Sequence, residues 1–159
     1  MVEPTKTESS VTQRLLRYGP VVLWTGLILF ASTQGFSAGN TSRIIRPLLL
    51  WLFPDIGETE IASVHLITRK AAHFIEYAVL AFLARRAFIT SSRVFIQQHW
   101  LALSLLIVIA VSLVDEIHQS FVPSRTGSMY DSAIDIAGGL TTLLILKFYL
   151  QRRNARTDH

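Results

Sequence analysis

An all-α membrane protein is the fold this sequence predicts, built as a bundle of four transmembrane helices with a short interfacial segment between the first two. Three observations carry the prediction. Half of the 159 residues are hydrophobic and only 16% are charged, where a soluble domain carries about 25% charged residues. Mean hydropathy is +0.40. Four apolar runs follow one another along the chain, each close to the roughly 20 residues that a helix needs to cross the hydrocarbon core. Apolar and polar residues do not alternate, which argues against a transmembrane barrel. The length is that of a single domain, 1–159.

The first run, 19–36 (GPVVLWTGLILFASTQGF), follows Arg14 and Arg17 and could imitate a signal peptide. The small-residue cleavage pattern is poor, because Ala38 has Phe36 two positions before it, so a retained anchor is expected. The next segment, 41–53 (TSRIIRPLLLWLF), is too short to span. Its Pro47 is expected to end any regular helix beyond the first turn, leaving the segment in the interface with Trp51 at headgroup level. A turn at 55–57 follows, and Glu58 or Thr59 is expected to cap a helix that continues through His65 into the second span. That span, 71–89, carries His73 and Glu76 and closes on Arg85 and Arg86. The third, 100–122, opens with a nearly pure apolar stretch and ends in DEIHQ. The fourth, 128–150, holds Asp131 and Asp135 near its start. The polar ends, MVEPTKTESS and QRRNARTDH, are expected to be mobile.

Net charge is +4 and the sequence pI is about 9.9. The basic residues sit between apolar segments, which is the loop bias of a membrane protein; nucleic acid, which needs a basic patch on a folded face, is not expected as a partner. Loop charge sets orientation. With the amino terminus inside, the cytoplasmic segments hold Lys6, Arg14, Arg17, Arg85, Arg86, Arg93, Lys147, Arg152, Arg153 and Arg156, ten in all. The outer segments hold five: Arg43, Arg46, Arg69, Lys70 and Arg125. The expected location is the inner (cytoplasmic) membrane, multi-pass, with both termini cytoplasmic. There are no cysteines, which excludes a disulfide framework, a thiol nucleophile and a Cys-ligated zinc.

The polar residues inside these runs should meet. At about 1.5 Å of rise per residue, His73 lies roughly 18 Å from Arg85, Asp115 roughly 22 Å from Trp100, Asp135 roughly 18 Å from Lys147 and Ser32 roughly 21 Å from Tyr18. Four helices thus place their polar groups in one slab below the outer interface. Lys70, His73 and Tyr77 share a helical face, with Glu76 at its edge. Asp115, His118 and Gln119 share another, and Asp131, Asp135 and Gly138 a third. Gly138 offers a backbone surface for close helix approach. In a four-helix bundle these faces turn inward.

At these residues the chain resembles the VanZ-like family of small bacterial membrane proteins. The matching elements are Lys70, His73 and Tyr77 in RKAAHFIEY, and the string DE-x-HQ-x(3)-P-x-R-x(5)-D-x(3)-D-x(2)-G formed by Asp115, Glu116, His118, Gln119, Pro123, Arg125, Asp131, Asp135 and Gly138. The resemblance covers roughly 33–146. It implies a four- or five-helix envelope protein, in a family associated with resistance to teicoplanin, a glycopeptide antibiotic that acts outside the cytoplasmic membrane. It implies no defined reaction. The chain departs from the pattern at Asp135, where related sequences often carry Asn, and at Thr142, where a second glycine often follows Gly138.

The expected function is an outward-facing polar pocket that acts on or binds a cell-envelope amphiphile or glycopeptide. Crowded carboxylates beside a histidine suit general acid and base chemistry, so His73, Glu116, Asp131 and Asp135 are the candidate catalytic residues. Helix-joining pairs of the type His73–Glu116 and Arg125–Asp131 are the competing use of the same groups. Lys70, Tyr77, Gln119 and Arg125 are the candidate substrate-binding residues, with Lys70 and Arg125 placed to clamp a phosphate or carboxylate. No HExxH or EF-hand spacing occurs, and neither a metal nor another cofactor is assigned. Membrane lipids are the expected partners, with a lipid-linked envelope precursor or a glycopeptide antibiotic as the candidate ligand. The alternatives are a non-catalytic binding or accessory protein and a small transporter, with the polar network purely structural. Interhelical polar contacts average about 0.6 kcal/mol, little against about 2.5–3.5 kcal/mol to insert each charge. That balance favours a functional set over structural glue. The near absence of ionisable residues from the cytoplasmic half weakens the transporter reading.

Overall fold

The computed structural model describes residues 6–33, 38–121 and 129–157, and among these it contains helices and no strand. The order is α1 (Lys6–Ala31), α2 (Ala38–Leu52), α3 (Glu58–Ile89), α4 (Val94–Gln98), α5 (Trp100–Ser120) and α6 (Met129–Thr157). Among the described residues three stretches are long and apolar enough to cross a membrane: Val11–Ala31, Trp100–Ser120 and Tyr130–Arg152. α3, at 32 residues, has ample length for a fourth crossing, but Arg69, Lys70 and Glu76 interrupt its apolar character.

Several expected boundaries move. α2 runs unbroken through Pro47, where a break after the first turn was expected. Pro47 and Arg43, the residue whose carbonyl it leaves unpaired, both face outward, so the lost bond sits where another donor can replace it. α3 begins after Gly57, which is extended and makes no side-chain cap; capping by Glu58 or Thr59 does not occur. Glu58 and Glu60 instead occupy the first turn, where the positive end of the helix dipole favours them, and Glu58 also pairs with Arg46 of α2. α1 starts within the polar amino-terminal stretch, and α6 carries on to Thr157, past the expected end near 150.

A repeating step of four and three residues explains the packing. On α3 the buried line is His73, Tyr77, Leu80, Ala84 and Ala87; on α5 it is Ser104, Val108, Ser112, Asp115 and Gln119. This spacing keeps one face turned toward neighbouring helices. The apolar core gathers Ile28, Tyr77, Leu80, Ala81, Val108 and Leu143. α3 is the central helix, packed against α6, α5 and α1. Its contact with α6 is close because Gly138 lies on the α3 backbone: a Cβ there would stand 3.1 Å from Phe74 Cα. Gly139 performs the same service toward α5, where an added Cβ would meet Val108 Cγ1 at 2.7 Å. Thr142 leaves this crossing intact, its hydroxyl donating to the Gly138 carbonyl at 3.1 Å. α1 is tied to α3 by Trp24, whose indole Nε1 donates to the Glu76 carbonyl at 2.9 Å.

The outer surface of the bundle is apolar. Leu15, Val22, Leu23, Phe30, Leu106, Ile117, Ile145 and Phe148 are all exposed, while serine, aspartate, glutamine and histidine lie inside. A water-soluble bundle has the opposite arrangement, and lipid is the solvent that suits this one. At the end of the bundle where α3 gives way to α4, Arg85 lies over the Trp100 ring at 5.3 Å.

Candidate functional site

The polar side chains gather at the end of the bundle where α1 and α5 finish and α6 begins. The α5 face brings Ser112, Asp115 and Gln119 inward at successive turns, α6 supplies Asp131, Ser132 and Asp135, α3 supplies Arg69, Lys70 and His73, and Ser32 follows the end of α1.

Two carboxylates form the floor of this cluster, each only 1% exposed. Asp135 faces His73, whose Nδ1 lies 3.1 Å from Oδ1, and accepts from Ser112 Oγ at 3.0 Å on Oδ2. Asp115 accepts from Ser32 Oγ on Oδ1 and from Gln119 Nε2 at 2.9 Å on Oδ2. Gln119 Nε2 also reaches Ser32 Oγ at 3.4 Å. One ligand-capable atom from each of His73, Asp115 and Asp135 lies within 4.8 Å of the other two. Burying such groups is tolerable only when each is hydrogen-bonded, and the serines and the glutamine meet that requirement here.

Above the floor lies a half-exposed rim. Arg69 Nη2 donates to Gln119 Oε1 at 3.4 Å and to Asp131 Oδ2 at 3.3 Å, while Lys70 Nζ donates to Asp131 Oδ1 at 3.3 Å. Two cations therefore share one carboxylate. Gln119, fully buried, joins rim to floor through its two ends.

The sequence-predicted residues distribute unevenly over this geometry. His73, Gln119, Asp135, Asp131 and Lys70 are brought together. Glu116 is half-buried, one position round α5 from the inward line, and the acidic partner of His73 is Asp135 rather than Glu116. The inward carboxylate of that pair is Asp115, because an offset of about 100° separates successive helical residues. Tyr77 is fully buried in the apolar core one turn from His73, and its hydroxyl has no hydrogen-bond partner among the described residues. Its side chain has no exposed surface of its own. Asp131 pairs with Arg69 and Lys70; Arg125, named with Asp131 as a helix-joining pair, and Pro123 lie outside the described residues. His118 is half-buried and its Nδ1 has no partner among the described residues.

Ser32, Arg69, Ser112 and Asp115 are members of the network that the motif reading did not assign. A signal for three of them was present. Serines on an otherwise aliphatic helix mark its packed face, and Ser104, Ser112, Asp115 and Gln119 fall on one line of α5. Arg69 had no such mark, since only the position of α6 gives it a carboxylate.

The arrangement has two chemical capacities. The floor offers a histidine and two carboxylates in a buried setting, suited to holding a proton or a cation. The rim offers a bidentate-capable guanidinium and an ammonium, suited to an anionic group.

A sequence model of the VanZ/LLP1 family matches residues 18–150. Comparison with curated proteins and with solved structures finds no match.

Proposed function

We propose that this chain, which belongs to the VanZ/LLP1 family, is an envelope-membrane protein that receives the anionic headgroup of an amphiphile or glycopeptide at the Arg69–Lys70–Asp131 rim. In this reading α3 is the fourth crossing. Both termini lie in the cytoplasm, and the rim faces the outer leaflet of the cytoplasmic membrane, as the ten-to-five division of basic residues supports. The association of the family with teicoplanin resistance supports an envelope ligand.

One observation carries the proposal. Asp131 neutralises one unit of charge and receives two cations, so the triad keeps a surplus positive charge. The side chains of Arg69 and Lys70 are about one third exposed (32% and 36%). A phosphate or carboxylate approaching from the interface can replace Asp131 as the partner of either cation, and a fork of guanidinium donors fits such a group bidentately. The buried polar floor beneath then lies next to the bound headgroup.

The test is binding of the full chain in nanodiscs to bilayers of phosphatidylcholine alone or with added phosphatidylglycerol or lipid-linked cell-wall precursor. Preference for the anionic lipids is expected, with a loss of about tenfold, or about 1.4 kcal/mol, in Arg69→Ala and in Lys70→Ala. Unchanged preference in both variants, at normal membrane abundance, overturns the reading. Susceptibility of cells to envelope-acting antibiotics, measured with the same variants, checks the biological side.

A further inference from the structure

We propose that His73, Asp115 and Asp135 form a binding site for one divalent transition-metal ion, with zinc the best match to its donors. The proposal rests on reading this polar cluster as the functional centre of the chain, and it concerns the buried floor rather than the lipid-facing rim.

Geometry comes first. Two donor atoms held about 2.1 Å from one ion, at the right-angled or tetrahedral spacing of zinc and its neighbours, stand roughly 3.0–3.5 Å apart. His73 Nδ1 and Asp135 Oδ1 stand 3.1 Å apart. A carboxylate oxygen of Asp115 lies within 4.8 Å of a donor atom on each of the other two residues, and a side-chain rotation closes the remainder. Three protein donors leave a coordination position for water or for a ligand oxygen, as in zinc sites that do chemistry.

Charge balance points the same way. Asp115 and Asp135 are both almost wholly buried. Among the described residues, the hydrogen-bond partners of Asp115 are Ser32 and Gln119, both neutral. Those of Asp135 are Ser112 and one histidine. Two carboxylates thus have at most one positive charge in direct contact, in an interior where an uncompensated charge is costly. A divalent cation with a neutral imidazole brings the sum to zero.

The surroundings resemble the outer shell of a metal site. Ligating carboxylates are commonly held by further hydrogen bonds that fix their orientation. Ser112 holds Oδ2 of Asp135, and Gln119 and Ser32 hold Asp115. Imidazole with carboxylate oxygen suits zinc or manganese, and no thiolate competes because the chain has no cysteine. His73 keeps 10% of its side chain exposed, so the floor is not wholly sealed.

The experiment uses the untagged full chain in detergent, stripped with chelator, reloaded with zinc chloride, desalted and analysed for metal content by mass spectrometry. About one zinc per chain is expected, with an increase in melting temperature that chelator reverses. His73→Ala, Asp115→Asn and Asp135→Asn should each abolish retention, and Ser112→Ala should weaken zinc affinity about ten- to a hundredfold. Asp55→Asn, on the exposed turn before α3, should retain the metal. Cobalt loading of the wild-type chain should give visible absorption that zinc displaces, a readout that needs no folded variant. No retained metal and no cobalt spectrum in the wild type overturn the proposal, as does equal retention in all three ligand variants. The rim is tested separately: Asp131→Asn should keep zinc while changing lipid binding. Failure of the metal site therefore leaves the headgroup reading standing, and failure of the headgroup reading leaves the metal site standing.

Discussion

His73 and Asp135 are 62 residues apart in the chain, yet Nδ1 of one lies 3.1 Å from Oδ1 of the other across the α3–α6 contact. The meeting depends on Gly138. It stands three residues beyond Asp135, and its lack of a side chain lets α6 lie against the backbone of α3 at Phe74, next to His73. Without that approach the two polar groups would be held apart in an apolar interior.

Removing the carboxylate should therefore orphan two groups at once. Asp135→Ala leaves the His73 ring and the Ser112 hydroxyl without their partner. A buried unsatisfied group costs about 1–3 kcal/mol, but interhelical polar contacts in membranes average nearer 0.6 kcal/mol. A loss of about 1–2 kcal/mol is expected, read from unfolding of the detergent-solubilised chain by tryptophan fluorescence. Asp135→Asn keeps an acceptor of the same shape and should lose clearly less. Equal losses in the two variants would show that the carboxylate charge, which Asn lacks, carries the contact rather than side-chain volume or a neutral acceptor.

The two glycines should respond differently to rescue. An alanine at 138 meets main chain at Phe74, which no trimming of side chains can move, whereas an alanine at 139 meets the side chain of Val108. Each substitution should cost about 1–3 kcal/mol by overpacking. Adding Val108→Ala should recover part of the loss for Gly139→Ala and none for Gly138→Ala. The four unfolding midpoints decide the matter, and rescue at 138 contradicts the packing described.

The absence of native cysteine permits a clean topology map. A single cysteine at Asp55, in the exposed turn before α3, should react with a membrane-impermeant maleimide added to intact spheroplasts. One at Ser92, in the exposed link between α3 and α4, should react only after permeabilisation. The reverse pattern inverts the protein, and labelling of both from one side removes α3 as a crossing.

Asp131 should act against the ligand it helps to prepare for. It occupies both rim cations, so Asp131→Asn should raise affinity for anionic bilayers severalfold, up to about tenfold if the whole pairing is released. Added salt should reduce the gain, since the rim is partly exposed and screened. Weaker binding by Asp131→Asn, at unchanged abundance, would assign the carboxylate to direct contact with the ligand.

Much of this molecule could be read along the chain because lipid constrains a helix so strongly. Every backbone polar group must be paired internally, so long apolar runs become helices, and the runs at 100–122 and 128–150 correspond to α5 and α6. The turn after Trp51 and the continuous passage through His65 into α3 were likewise legible, since a turn signal and helical spacing are local. Pro47 misled because proline reports a lost hydrogen bond, while continuation of α2 depends on where that loss is exposed.

By itself the sequence determined an all-helical chain, its membrane character, its family and a level at which polar residues from several helices could meet. All of these follow from composition, from a fixed rise per residue and from the order of the motifs. Only tertiary structure decided the pairings: Asp115 rather than Glu116 as the second carboxylate beside His73, Asp135 as the partner of His73, and Arg69 joined to Asp131. The reason is rotational. A helix turns about 100° per residue, so neighbours such as Asp115 and Glu116 share a depth but face different surroundings, and only the packing of α5 against α3 and α6 selects between them.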